Sequence, residues 1–493
     1  MYYPANGRYG VASRIYLASQ VGINILSEGG NVFDAAIAIS SVLSVVIPHT
    51  GGLGGDAFIL ARLGNGEIIG YNGSGRSPIS FPVDQFISLK PRRGGLTVSV
   101  PGLVDTWIWM NNYYGSMDLK DLLKPAISLA VNGFYIPYQT VKASKLLYKE
   151  LSGFNSWNKV YGSIEYGSKR RFREMGLVLK YIAKWGVDGF YSGEIADKIV
   201  TQLNGEGSPL STEDFERHRG EVIKPLKIDY NGFEVYELPP NTQGLTTLEI
   251  LRMMESIGLS KGRRDLDWWM KYMEVAALSY MDRDRYIADP DYMDIDPQEI
   301  IDKKRIRDRI SSLTLSSGDT TFFTLSDKYG NILGFIQSLF HPFGSGLVAM
   351  EIPFQNRLIG FNSEMGLPNS PGPGKRPLHT LSIALLSMDD THYIIGCAGG
   401  DLRPQIHSQV ISNIVDLKMD IGSAVSARRN MLIKWGDGKP VDAVFEDVKY
   451  PSYGRALEYP SRGVGIVQAL KYVDKGYTEV YADIRGGGVA LAI

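Results

Sequence analysis

Cysteine is nearly absent from this chain, with one residue, Cys397, in 493. An intrachain disulfide is excluded, and so is a metal site built from several thiolates. Histidine is scarce as well. The six residues, His49, His218, His341, His379, His392 and His407, show neither His-x-His nor His-Glu-x-x-His spacing, which argues against a metalloenzyme. An excess of one charge is also missing. The formal net charge is −1, so neither nucleic acid nor an anionic membrane surface is expected as a partner. No apolar run reaches the ~20 residues that a membrane span needs. Met1 to Arg8 lack a basic segment leading into an apolar core, so no signal peptide is expected and the reading is cytoplasmic.

What is present is an ordinary globular composition, 44% hydrophobic and 21% charged. The length allows about three domains, or one large body of sheets and helices. Val11 to Leu26 reads as an amphipathic helix, and Val32 to Val46 as a helix apolar on most faces, hence buried. The glycine cluster Gly51-Gly52-Leu53-Gly54-Gly55-Asp56 fits neither the dinucleotide nor the Walker spacing, and close packing of loop backbone is its better account. Ala57 to Leu63 and Ile68 to Tyr71 form a hairpin around Gly64-Asn65-Gly66. Arg76 then sits among small residues, as an anion-binding arginine would, with a solvated loop arginine as the plainer alternative. Leu96 to Val100 reads as a short strand. Helical patterns follow at 103–115, 118–132, 192–205, 245–257 and 266–285, interrupted by a strand pair near 222–238. Lys303 to Arg309 is a charged helical run, and another helix is expected around 404–417. Strands at both ends with long helices between them imply sheets covered by helices.

The most informative stretch is Ser316-Ser317-Gly318-Asp319-Thr320-Thr321-Phe322-Phe323. A flexible polar linker turns at Thr320 into a strand-like run. The turn Asp327 to Asn331 and a second apolar run, Ile332 to Phe340, complete a hairpin. If the bond between Asp319 and Thr320 is cut, one residue carries both a hydroxyl nucleophile and a free α-amine. Such an amine has a reference pKa of about 7.7–8.0 and serves as a general base without a histidine. Taken alone, Thr-Thr opening a strand is also what β-propensity produces.

Several blocks in register resemble the γ-glutamyltransferase family of N-terminal-nucleophile hydrolases. They are Gly29-Gly30-Asn31-Val32-Phe33-Asp34-Ala35-Ala36, the glycine cluster at 51–56, Val100-Pro101-Gly102, Tyr236-Glu237-Leu238-Pro239-Pro240, Asp282-Arg283-Asp284-Arg285-Tyr286, Gly318-Asp319-Thr320-Thr321, Phe343-Gly344-Ser345-Gly346, Gly374-Lys375-Arg376-Pro377 and Gly399-Gly400. The resemblance implies an α+β fold, a four-layer αββα sandwich. It also implies a precursor that cleaves itself between Asp319 and Thr320 into chains of 1–319 and 320–493. The two chains would stay associated in one intertwined body, with a pairing of two such heterodimers left open. Thr320 matches the nucleophile, Ser338 a supporting hydroxyl, and Gly399 and Gly400 the backbone donors of an oxyanion hole. No cofactor and no metal are implied.

The chain departs from the family pattern where the substrate is held. The family's arginine position falls on Ser74, with Arg76 two residues on. The serine pair becomes His379-Thr380, and the segment that carries an acid for the substrate's α-amine reads Phe354-Gln355-Asn356-Arg357-Leu358-Ile359-Gly360-Phe361, without an acid. With Arg76, Arg357, His379 and Thr380 as substrate-binding candidates, these blocks look more like the oxamate amidohydrolase branch, whose members hydrolyse a small carboxylate-bearing amide. The connection Gly360 to Gly374 is short, which implies an uncovered pocket and favours hydrolysis over transfer. A γ-glutamyl transferase or glutathione hydrolase is the alternative, and an unprocessed binding or scaffold protein is the alternative of another class.

Overall fold

The computed structural model describes residues 3–262, 264–307, 320–436, 439–447 and 449–493. Its centre follows from two apolar runs. Every residue of Thr321–Ser326 and of Ile332–Ser338 is buried, so both strands must be covered on both faces. Neighbouring side chains then point into different layers. Phe322 packs inward with Phe58, Ile336 and Leu385, whereas Phe323 packs outward with Ile59, Phe335 and the helices of residues 16–185.

The strands of the two large sheets are Ala5–Gly7 (β1), Gly10–Ser13 (β2), Asp56–Arg62 (β3), Ile68–Asn72 (β4), Glu221–Ile223 (β5), Leu226–Tyr230 (β6), Phe233–Glu237 (β7), Thr321–Ser326 (β8), Ile332–Ser338 (β9), Ala384–Met388 (β10), Thr391–Ala398 (β11), Ile466–Val473 (β12), Tyr477–Ala482 (β13) and Val489–Ala492 (β14). One sheet runs β14-β2-β8-β9-β3-β4-β5 and the other β1-β13-β12-β11-β10-β7-β6. Every pairing within them is antiparallel. Each sheet therefore mixes strands from before and after Thr320.

Helices Tyr16–Ser27 (α1), Val32–Val46 (α2), Leu103–Tyr114 (α3), Leu119–Asn132 (α4) and Arg173–Trp185 (α5) cover the first sheet. Gly244–Ser256 (α6), Leu266–Tyr286 (α7), Arg403–Val415 (α8) and Ile421–Ser426 (α9) cover the second. The order is helix, sheet, sheet, helix, the four-layer αββα sandwich. The whole of α2 is buried, and its start is fixed by a capping box in which Asn31 and Asp34 exchange hydrogen bonds. No helix among the described residues is long and apolar enough to cross a membrane.

Two local expectations fail. Val11 to Leu26 is not one helix, because Gly10–Ser13 pairs with both β8 and β14 and the helix starts only at Tyr16. Leu96 to Val100 is not a strand. Gly95–Thr97 is a 3-10 turn, and Val100 meets the Arg76 carbonyl through a single backbone bond.

Candidate active site

Thr320 stands immediately before β8 and is fully buried. Thr321 lies opposite Gln337, so the next position on β9, Ser338, faces back toward Thr320. The Thr320 hydroxyl donates to Ser338 Oγ at 3.4 Å, and Arg14 Nη1 donates to the Thr320 carbonyl at 2.8 Å. Ser338 Oγ also accepts from the Phe340 N–H at 2.8 Å. The glycine cluster explains how the loop fits beneath this corner. A Cβ on Gly55 would stand 2.4 Å from the Ser338 carbonyl, so only glycine permits the approach. Asp319 and the linker from Ser316 lie outside the described residues.

Gly399 and Gly400 terminate β11. Gly400, at φ +54°, occupies the left-handed region that favours glycine. The Gly400 carbonyl accepts from Gln243 Nε2 at 2.8 Å. The following residue, Asp401, accepts from Arg283 Nη1 at 3.0 Å through its carboxylate and from the Tyr280 hydroxyl at 2.6 Å through its carbonyl.

Arg357 is fully buried in a 3-10 turn, and its guanidinium lies 4.4 Å from the centre of the Phe340 ring. None of its three nitrogens has a hydrogen-bond partner among the described residues. Burial draws its pKa down to about 9, against the attraction of Asp56 and with the repulsion of Arg403. Asp56 is the neighbouring counter-charge, 3.9 Å away and equally buried. Its Oδ1 accepts from the N–H groups of Gly75 and Gly102 and from Gln355 Nε2, and its Oδ2 faces His379 Nε2 at 3.1 Å. Burial nevertheless lifts its pKa to about 6.

Two of the sequence-based candidates already have partners within the protein. His379 has both ring nitrogens engaged. Nε2 engages Asp56, Nδ1 accepts from the Leu381 N–H at 3.3 Å, and burial with Arg357 and Arg403 nearby keeps the ring neutral. Arg76 is likewise occupied, pairing with Asp289 at 2.7 Å and with Glu221 and Asp291 at 3.4 and 3.5 Å. It borders a small cavity of about 230 Å³ with His218 and Arg219, rather than the cavity that Thr380 lines.

That larger cavity, about 590 Å³, is bordered by Phe340, Thr380, Asp401, Arg283 and Asp284. It thus reaches from the residue two beyond Ser338 to the residue after Gly400. The Thr380 hydroxyl is buried and unpartnered among the described residues. The segment after Gly360 does more than connect. Asn362, Ser363, Glu364, Leu367 and Asn369 wall the cavity, and Lys375 Nζ ties the loop back through the carbonyls of Pro368 and Ser370. A second cavity of about 590 Å³, with Lys90, Arg92 and His341, shares Phe340, Ile359, Phe361 and Ser363 with the first. No three His, Cys, Asp or Glu side chains cluster as a metal site would need among the described residues.

Asp56, Gln243 and Phe340 were not singled out by sequence reasoning. Asp56 alone carried a signal, as an acid heading an otherwise apolar strand directly after the glycines. Phe340 at φ +74° carried none, since nothing in Leu339-Phe340-His341 announces a left-handed bulky residue.

The gamma-glutamyltranspeptidase profile matches residues 18–493. The glutathione hydrolase-like YwrD proenzyme of Bacillus subtilis (strain 168) is 34% identical, covering 98% of each chain. The oxamate amidohydrolase proenzyme of Klebsiella pneumoniae is 28% identical over 85% of this chain and 84% of its own. Among solved structures, a cephalosporin acylase from Bacillus halodurans superposes with a TM-score of 0.89 at 27% identity, covering 100% of this chain and 96% of its own. On an α+β sandwich of the N-terminal-nucleophile hydrolase type, and with a match over nearly its whole length, the chain belongs to the gamma-glutamyltranspeptidase family of amide-cleaving and acyl-transferring enzymes.

Proposed function

We propose that the chain is a self-processing N-terminal-threonine amidohydrolase acting on a small amide that bears a carboxylate. In maturation the Thr320 hydroxyl attacks the Asp319 carbonyl. The peptide C–N bond breaks as the ester forms, and water opens the ester to give an Asp319 carboxylate and a free Thr320 amine. The products are residues 1–319 and 320–493, held together because both contribute strands to both sheets. Association of two such pairs is compatible with this reading.

In turnover the Thr320 amine takes the proton of its own hydroxyl as Oγ attacks the substrate carbonyl. The N–H groups of Gly399 and Gly400 receive the developing oxyanion, and each such donor is worth roughly 10²–10³ in rate. The amine proton passes to the leaving nitrogen, an ester remains on Thr320, and water hydrolyses it. With oxamate the products are ammonia and oxalate. Exposed Ser363 and Glu364 on the cavity wall leave water a path to the ester, which favours hydrolysis over transfer.

The observation that carries this reading is the buried guanidinium of Arg357, without a hydrogen-bond partner and stacked on the residue two beyond Ser338. A buried cation with five unused donors is costly unless an anion completes it. A second reading, hydrolysis of a γ-glutamyl amide, is favoured by Asp284, Glu364 and Asp401 on the cavity wall, which supply acids that 354–361 lacks. Arg283 already engages Asp284 and Asp401, which weakens them as partners for a substrate ammonium.

A denaturing gel and N-terminal sequencing test the maturation step, with a small fragment beginning Thr-Thr-Phe-Phe as the expected result. Thr320→Ala should stay one chain and be inactive. Cleavage of that variant in pure protein would overturn the mechanism. Oxamate and γ-glutamyl-p-nitroanilide compared on matured enzyme at one pH then separate the two substrate readings.

A further inference from the structure

We propose that Gln243 is the positioning residue that fixes the Gly399–Gly400 donors relative to the substrate cavity at Thr380. The inference rests on the reading of those glycines as oxyanion donors. Gln243 is fully buried in the turn that starts α6. Its side-chain N–H groups divide between two carbonyls, Thr380 and Gly400, each at 2.8 Å. Its Oε1 accepts from Arg283 Nη1 at 3.1 Å. The amide has only one orientation here, because a guanidinium can only donate and the two carbonyls can only accept. Its backbone is bound to the same segment, with the Gln243 N–H donating to the His379 carbonyl at 3.2 Å.

One side chain therefore joins the strand end that carries the oxyanion donors to the segment that lines the cavity. The bond to the Gly400 carbonyl ties the peptide after Gly400 to the Thr380 segment, next to a residue at φ +54° whose preceding peptide is held by the Leu402 N–H on the Gly399 carbonyl. The Arg403 N–H also donates to the Gly400 carbonyl, closing the 3-10 turn, and Arg403 Nη1 adds a longer contact at 3.5 Å, but both come from within the turn, so Gln243 is the side chain that ties it to Thr380. Arg283 is itself held by Asp284 and Asp401, so the anchor of the glutamine is rigid. Loss of the two donated bonds would leave the Gly399–Gly400 turn held by its own backbone bonds alone and untied from Thr380, and oxyanion donors act only when preorganised. Ground-state binding at Thr380 and Arg357 would be little changed.

The test compares Gln243→Glu and Gln243→Met with wild type on matured enzyme. The probe is whichever of oxamate and γ-glutamyl-p-nitroanilide the wild type hydrolyses. Gln243→Glu keeps shape and the Arg283 contact but loses both donors, and Gln243→Met loses all three bonds. Both should lower kcat by about tenfold to a hundredfold with KM within about threefold. A purely structural role would show instead in the melting temperature, or in KM and kcat together. Unchanged kcat in either matured variant overturns the proposal, and so does a rise in KM at constant kcat. If neither variant gives folded, matured protein, Gln243 is a folding residue and the proposal also falls. Thr320→Ala separates the two failures. An active Thr320→Ala sinks the nucleophile reading, whereas an inactive one beside a fully active Gln243→Glu sinks only this inference.

Discussion

Arg357 Nε stands 3.9 Å from Asp56 Oδ2, and both side chains are wholly buried. The separation exceeds hydrogen-bond distance, so the two charges face each other as an incomplete pair. Asp56 spends its acceptor capacity on Gly75, Gly102, Gln355 and His379. Arg357 spends none of its donors on described residues. The carboxylate thus supplies compensating field while the guanidinium keeps its hydrogen bonds in reserve, an arrangement suited to a second anion.

Asp56 predicts a pH dependence of stability. Its folded pKa, about 6, lies above the ordinary 3.8, because burial outweighs the attraction of Arg357. Between those values the native state binds more protons than the unfolded state, so stability falls as pH rises through about 4 to 6 and then levels. Two units correspond to about 3 kcal/mol. In Arg357→Met the lowering contribution is gone and the fall should extend above pH 6. Melting temperature against pH for both proteins is the measurement, and coincident profiles would exclude coupling between the two residues.

A second window belongs to His407. Burial opposes its charged form, but Glu237, with its carboxylate 2.7 Å from Nδ1, more than reverses this, and Cys397 adds to it, so the pKa rises to about 9. The stabilisation is fully present below about 6.5 and is lost as pH rises through about 9, again roughly 3 kcal/mol. Glu237→Gln should lower the melting temperature at pH 6 and flatten the profile between 6.5 and 9. A slope retained in that variant would assign the window to another group.

Gly400→Pro removes the backbone N–H that the proposed mechanism assigns to the oxyanion, and it forbids φ +54°. Turnover should fall at least a hundredfold even in protein that has matured. Single-turnover rates on the matured variant provide the check, and a near-wild-type rate would remove Gly400 from the oxyanion site.

Much of this was legible in the sequence, for physical reasons. The strand-like runs around Asp327–Asn331 read as a hairpin, and Val32 to Val46, apolar on most faces, as a buried helix; that both hairpin strands are covered on both faces shows only in the structure. The glycines at 51–55 were correctly read as close packing, as the contact between Gly55 and Ser338 demonstrates. The partners of Arg76 and His379 were not legible, because adjacency in sequence does not reveal them. They are Asp289, lying 213 positions from Arg76, and Asp56, lying 323 from His379. Likewise, the acids of the cavity wall come from α7, from the loop after Gly360 and from the turn after Gly400, so their absence from 354–361 did not make the cavity acid-free.

The last prediction concerns Arg357 itself. If its free donors receive the substrate carboxylate, a charge-assisted bidentate contact of about 1.5–3 kcal/mol is at stake, one to two orders of magnitude in specificity. Arg357→Ala should therefore raise KM for oxamate by about tenfold to a hundredfold, while an uncharged amide changes little. Arg357→Lys keeps a charge but loses the planar fork, so it should recover only part of the loss. Phe340, stacked on the guanidinium, loses its cation in the alanine variant, so melting temperatures accompany the kinetics to separate binding from a loosened corner. Steady-state KM for the two amides on matured enzyme decides the matter. An equal rise for both would mean that Arg357 shapes the pocket without reading charge, and a γ-glutamyl amide outperforming oxamate tenfold in wild type would favour the acids of the cavity wall as the substrate's partners.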